Sequence, residues 1–227
     1  VHATTFVIKD QITGAPLYLA NVSLDITERV QAEALRAVLL EIMQGGVTTK
    51  DLQDFLGLVH RSIDKVIYAE NFFVVLYNKD ADWFEEVYSA DKFDPPGPPY
   101  RNGKSISAYV IRSGRPMLLN DERIFSELVA QGEVELVGTN SPSWMGVPLK
   151  TSRETIGVMV VQDYEVPNRY SERDLEVFAS IAGQVALVVE RKWAEEALAA
   201  SEAALRALFA SLHDAVLVIA REGVYRK

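Results

Sequence analysis

Three histidines, His2, His60 and His213, supply every imidazole in the 227 residues. A catalytic nucleophile needs an activating base within reach, and none of the three is placed to be one. His60 falls beside the apolar face of a predicted helix, where a half-exposed structural role is expected. His213, in Leu-His-Asp-Ala-Val, falls at an expected helix-to-strand turn, whereas a phosphate-accepting histidine needs a solvent-facing helix position beside charged neighbours. Cysteine is absent. That excludes disulfides, thiolate metal sites, cysteine nucleophiles and thioether-linked chromophores together. Nor is there a phosphate-cradling glycine loop, or a His/Asp/Glu group with metal-ligand spacing. The residue chemistry points away from an enzyme.

The overall balance narrows the class further. Thirty-two acidic residues against 23 basic ones give a net charge of −9, which argues against a nucleic-acid surface. No apolar run approaches the ~18 residues a membrane span requires. There is no signal peptide and no initiating Met, so a piece of a longer, cytoplasmic protein is expected. The length allows one or two domains.

The elements must then be read from periodicity. Trp144–Leu149 and Ile156–Val161 are apolar runs around the polar turn Lys150-Thr151-Ser152-Arg153-Glu154, which predicts a β-hairpin. The second run is apolar on both faces, as a central covered strand requires, and Gly157 within it signals a close approach or a bulge. Thr4–Ile8 and Leu17–Leu24 predict a first hairpin, and Asn71–Tyr77 with Trp83–Ser89 another. Asp25 and Glu28 open a helix that carries Leu35, Val38, Leu39 and Ile42 on one stripe. Gly45-Gly46 is expected to break it, with Thr48 or Thr49 capping the next helix. There Leu52, Phe55, Leu56, Val59, Ile63, Val66 and Ile67 recur at three- and four-residue steps. The proline-rich loop Asp91–Lys104 is long enough to suggest function. Ser105 caps a short helix ended by Gly114 and Pro116, and Met117–Leu119 is a short strand. Asp121 caps a helix with Ile124, Phe125, Leu128 and Val129 inward, and Ser171–Asp174 forms a capping box for a last, long helix. Leu198, Leu205 and Leu212 run out of phase with Leu175, Ala182 and Val189. Such a change of seam suits a helix that passes from its own domain to a partner.

Taken in order, these pieces resemble known modules. A strand followed by Asp25-Ile26-Thr27-Glu28-Arg29 and an Ala/Glu-rich helix resembles the end of a PAS domain, and Ala207–Ile219 resembles the start of another. Between them, Gly103–Pro116, Ser143–Leu149 and Ile156–Tyr164 together resemble a GAF domain. The resemblance implies an α+β fold, a central antiparallel sheet with helices on both faces. It divides the chain into a PAS end (1–29), a connecting helix (30–44), a GAF domain (45–190), an exit helix (191–212) and a truncated PAS start (213–227). It implies a non-catalytic sensory module of a multidomain signalling protein of the sensor-kinase or cyclic-dinucleotide type, dimeric through Val30–Ile42 and Val185–Leu212. The alternatives are a ligand-free dimerisation spacer and a cyclic-nucleotide site. The cyclic-nucleotide signature is incomplete: Gln162-Asp163 stands for Asn-Lys, and Asn78-Lys79 lies in the wrong hairpin. A covalent bilin and the cysteine chemistry of the sulfoxide-reducing relatives are excluded, and no cofactor is identified. The GAF cavity implies a small polar or heterocyclic ligand, with Tyr88, Tyr109, Asp121 and Trp144 as its candidate contacts.

Overall fold

A computed structural model describes the backbone of residues 2–101 and 103–224 and the side chains of 3–16, 18–101 and 103–210. The first hairpin, β1 (His2–Lys9) with β2 (Pro16–Leu24), forms a separate two-stranded sheet. Its apolar side chains, among them Phe6, Tyr18, Leu19 and Leu24, are exposed.

Two helices follow, α1 (Thr27–Thr48) and α2 (Leu52–Ile63). The Gly45-Gly46 pair does not break α1. It lies in its last turns because the helix passes too close to its neighbours for a side chain: a Cβ on Gly45 would meet Leu58 at 2.8 Å, and one on Gly46 would meet Val188 at 2.7 Å. Thr49 closes α1 rather than opening α2, its hydroxyl donating to the Gly45 carbonyl at 2.7 Å. Asp51 caps α2 by accepting from the Asp54 N–H at 2.8 Å.

The remaining elements are β3 (Asn71–Asn78), β4 (Trp83–Ala90), α3 (Ile106–Ser113), β5 (Met117–Leu119), α4 (Glu122–Ala130), β6 (Ser143–Lys150), β7 (Thr155–Asp163) and α5 (Glu172–Val224). Five strands form one antiparallel sheet in the order β4-β3-β7-β6-β5. Ile156–Val161 is therefore the centre of the sheet, as its two-sided apolarity predicts. At Gly157 the close approach is by backbone: a Cβ there would collide with the Val75 carbonyl.

Each sheet face has its own core. On one, Phe72, Val74, Met145, Val147, Met159 and Val161 pack with α1, α2 and α5. On the other, Val75, Trp144, Val158 and Val160 pack with Ala108, Val110 and Ile111 of α3. His60 belongs to the first face. Its Nε2 lies 2.6 Å from the Ala69 carbonyl and its Nδ1 lies 3.1 Å from the Tyr88 hydroxyl. A carbonyl only accepts, so Nε2 carries the proton and Nδ1 accepts from tyrosine. Both ring nitrogens are committed to structure.

The capping box at α5 forms as predicted, with Asp174 accepting from the Ser171 N–H and the Ser171 hydroxyl accepting from the Asp174 N–H. Phe178, Ile181, Ala182, Val185 and Val189 are buried, whereas Leu198 and Leu205 are exposed. From Trp193 to Ala210 every side chain is exposed, so the packed seam ends where the phase shift begins. The interface expectation for Val38, Ile42, Val185 and Val189 is corrected, because these fill the protein's own core; exposed apolar positions on the same helices are Leu40, Met43, Val47 and Leu187. Residues 213–224 continue α5 as helix where a turn into a strand was expected; residues 225–227 lie outside the described residues. No described helix is long and apolar enough to cross a membrane.

Candidate ligand-binding site

The sheet face that carries α3 is only partly covered, and a cavity of about 820 Å³ remains over the rest. Phe73, Val75 and Trp144 form its floor, Ser105–Ser107 and Leu119–Glu122 its sides, and two loops its roof, one from Asp91 to Tyr100 and one from Glu135 to Pro142. Trp144 is 5% exposed, part of the core and part of the floor. Its indole lies over Gly146, where any Cβ would collide with the ring. The Trp-Met-Gly spacing on one strand face is what makes room for it.

A polar cluster fastens the roof. Gln162, at the end of β7, donates to Asp91 Oδ2 at 2.7 Å, and the Tyr164 hydroxyl donates to Asp91 Oδ1 at 2.9 Å. Asp94 joins the two loops by accepting from the Thr139 N–H and hydroxyl, each at 2.9 Å. Burial pushes the Asp91 carboxyl up, but the N–H groups of Phe93 and Asp94, with Gln162 and Tyr164, outweigh it and hold it below the ordinary carboxylate range. Glu86 of β4 has only the Ser89 hydroxyl to lower its pKa. Burial raises its pKa, and the charges of Asp91 and Asp94 push the same way.

The cavity also touches the start of α5. Asn120, in its wall, donates from Nδ2 to the Tyr170 carbonyl at 2.7 Å, while its buried Oδ1 has no partner. Nearby, Ser143 ties β6 to the same connection, donating to the Val166 carbonyl at 2.9 Å and accepting from the Arg169 N–H at 3.0 Å. Burial pushes the Asp163 carboxyl up, yet the Glu165 N–H, the Arg169 guanidinium and the Val166 N–H hold it low.

Of the four residues expected at the site, the cavity gathers two, Trp144 and Asp121. Asp121 caps α4, accepting from the Arg123 N–H at 2.9 Å, and its carboxylate is taken up by the Arg123 guanidinium at 2.6 Å. Tyr88 lies on the opposite sheet face. A register shift between Val74 and Val75 pairs it with Val74 and turns it towards His60 and Phe72. Tyr109 is half-buried on α3 outside the cavity; Ser107, Ala108, Val110 and Ile111 take that helix's buried positions. In α4, Leu128 is buried and Phe125 half-buried, but Ile124 and Val129 are exposed, because the short helix covers the cavity with one face only.

The family model of the GAF domain matches residues 49–190. The chain belongs to the GAF family. This GAF domain has the fold of solved structures at low identity. The GAF domain of the Acinetobacter phosphoenolpyruvate-protein phosphotransferase is 17% identical, with TM-score 0.58, over 73% of this chain and 95% of that one. Its counterpart from Coxiella burnetii is 15% identical, with TM-score 0.59, over 73% and 98%. Free methionine-R-sulfoxide reductase from Neisseria meningitidis, solved with its substrate, is 15% identical, with TM-score 0.55, over 74% and 93%. No curated protein matches the sequence.

Sequence reasoning missed Glu86, Asp91, Asp94, Asn120 and Gln162 at this site. Gln162-Asp163 had drawn notice only as a departure from the cyclic-nucleotide signature. Asp91, Asp94, Asn120 and Gln162 stand in loops and strand ends, where no periodicity marks them, and Glu86 is one of two adjacent acids in mid-strand.

Proposed function

We propose that this GAF domain is a non-catalytic sensory module of a cytoplasmic signalling protein. In this reading a small molecule occupies the cavity and biases the setting of α5, which passes the state to a second copy and to an output domain outside the chain. PAS modules at 1–29 and 213–227, joined through the helices at 30–44 and 191–212, complete the scheme.

The Asn120–Tyr170 hydrogen bond carries the reading. It joins a cavity-wall side chain to the residue before the capping box of α5, so a ligand that moves Asn120 moves the helix entrance. A ligand shifts such an equilibrium only by its differential affinity for two states, typically ~1–3 kcal/mol of coupling. The roomy cavity favours the sensor over the ligand-free spacer. The exposed Leu198, Leu205 and Phe209 beyond the domain favour association of two copies.

Native mass spectrometry of the purified protein tests the cavity's role. A co-purified small molecule is expected, and adding it back to stripped protein should change hydrogen exchange at the first turns of α5. Protein that carries nothing, and whose α5 exchange responds to no cellular extract, would overturn the proposal.

A further inference from the structure

The cavity wall has a one-sided charge. Six carboxyl side chains line it, Glu86, Asp91, Asp94, Asp121, Glu122 and Glu135, and no Lys, Arg or His does so among the described residues. Two of the six are already paired, Asp121 with Arg123 at 2.6 Å and Glu135 with Lys104 at 3.1 Å. Asp91 and Asp94 are bonded only by neutral donors, which orient their charge without cancelling it. Glu86 has no ion pair among the described residues and lies half-buried near both. Glu122 is unpaired too but exposed, so the cavity holds three half-buried carboxyls with no counter-ion.

Ser107 is 5% exposed and lines the cavity. One further group in the cavity wall is left without a partner. The Asn120 Oδ1, also buried, accepts nothing. A buried amide oxygen without a partner is costly, so the Asn120 Oδ1 is a group that a donor reaching it would complete. Asn120 presents an acceptor, and the floor is aromatic, with the Trp144 indole beside Phe73. Acceptors, uncompensated carboxyls and an aromatic face favour a donor-bearing cation.

We propose that the cavity takes an organic ammonium with an aromatic body, its nitrogen held by Glu86 and its body against Trp144, and that it rejects carboxylates and phosphates. The proposal rests on reading the cavity as a ligand site, and it names the charge class of that ligand. An anionic nucleotide would have to approach three uncompensated carboxyls with no basic residue to receive its phosphate. Like-charge contacts in a partly desolvated site are strongly unfavourable.

The test uses three probes that share an indole ring and differ in charge: tryptamine, 3-ethylindole and indole-3-propionate, each titrated calorimetrically into the full chain. Tryptamine should bind roughly tenfold to a hundredfold more tightly than 3-ethylindole, the worth of one charge-assisted contact. Indole-3-propionate should bind weakest. Added salt should weaken tryptamine alone. Glu86→Gln, which keeps the side chain's shape, should bring tryptamine down to the level of 3-ethylindole and leave the neutral probe unchanged. Equal or tighter binding of the neutral or anionic probe overturns the charge assignment while leaving the cavity a ligand site. Absence of binding by all three also overturns it, and native mass spectrometry of co-purified ligand then decides separately whether the sensory reading stands.

Discussion

Asn120→Ala removes a side chain that joins the cavity wall to the entrance of α5, and its cost can be worked from the contacts. The lost bond is a 2.7 Å donation to the Tyr170 carbonyl. Deleting one partner leaves that carbonyl short of a donor, at about 1–3 kcal/mol. Part of this is recovered, because the mutation also deletes the partnerless Oδ1. A net loss of about 1–2 kcal/mol is expected, lowering Tm by about 2–8 °C in a domain of this size. The local effect is the sharper one. The Asp174 and Leu175 amides close the first turn of α5 on Ser171, and hydrogen exchange there should quicken by about 5–30-fold if the turn alone bears the loss. Asn120→Asp should be worse than Asn120→Ala, because it keeps the shape, loses the donor and sets a carboxylate against a carbonyl. A lowered Tm with unchanged exchange at Asp174 and Leu175 would refute the link from cavity to helix.

Three further outcomes are expected. Trp144→Ala, which empties space beneath the cavity floor, should cost about 3–5 kcal/mol and lower Tm by about 6–20 °C, and a melt unchanged within error would contradict the packing described. Glu86→Gln should raise the Tm of ligand-free protein at neutral pH. The folded-state pKa of Glu86 is raised, so its ionised form is disfavoured by folding; that penalty is absent below the unfolded-state pKa, appears as pH rises towards the folded one, and disappears in the amide. A Tm difference between variant and parent that does not shrink on acidification would count against this. Replacing Leu198 and Leu205 by Glu should abolish association at micromolar concentration without altering the melt of the GAF domain, and a parent protein that sediments as a monomer would remove the proposed dimer.

What the sequence made legible was whatever periodicity controls. The central strand Ile156–Val161, the α2 stripe and the capping box at Ser171 were readable because burial repeats at fixed steps and caps have local chemistry. Gly45-Gly46 misled because two glycines within a helix signal both breakage and close approach, and only the presence of Leu58 and Val188 distinguishes them. Tyr88 was placed on the wrong face by a single register shift in its strand pair, which inverts every later side chain. Trp144 was found because the GAF resemblance turns the edge of its strand towards the cavity. Glu86 and Asn120 were not, since their importance comes from which partners they lack, a property of three dimensions alone.

The C-terminal end of α1 has one more consequence. The Arg191 guanidinium donates to the Gly46 carbonyl, and the Lys192 ammonium donates to the Thr49 carbonyl at 2.8 Å. Besides its buried face, α5 is therefore held by side-chain grips at both ends of that face, at Tyr170 just before its first turn and at Lys192. At 1.5 Å per residue about 30 Å of rod separates the grips and about 48 Å extends from Lys192 to Val224. A rod pivoting at the second grip is a lever with unequal arms. In the proposed coupling, a tilt of the packed segment about the second grip would reach the far end reversed in direction and about one and a half times as large.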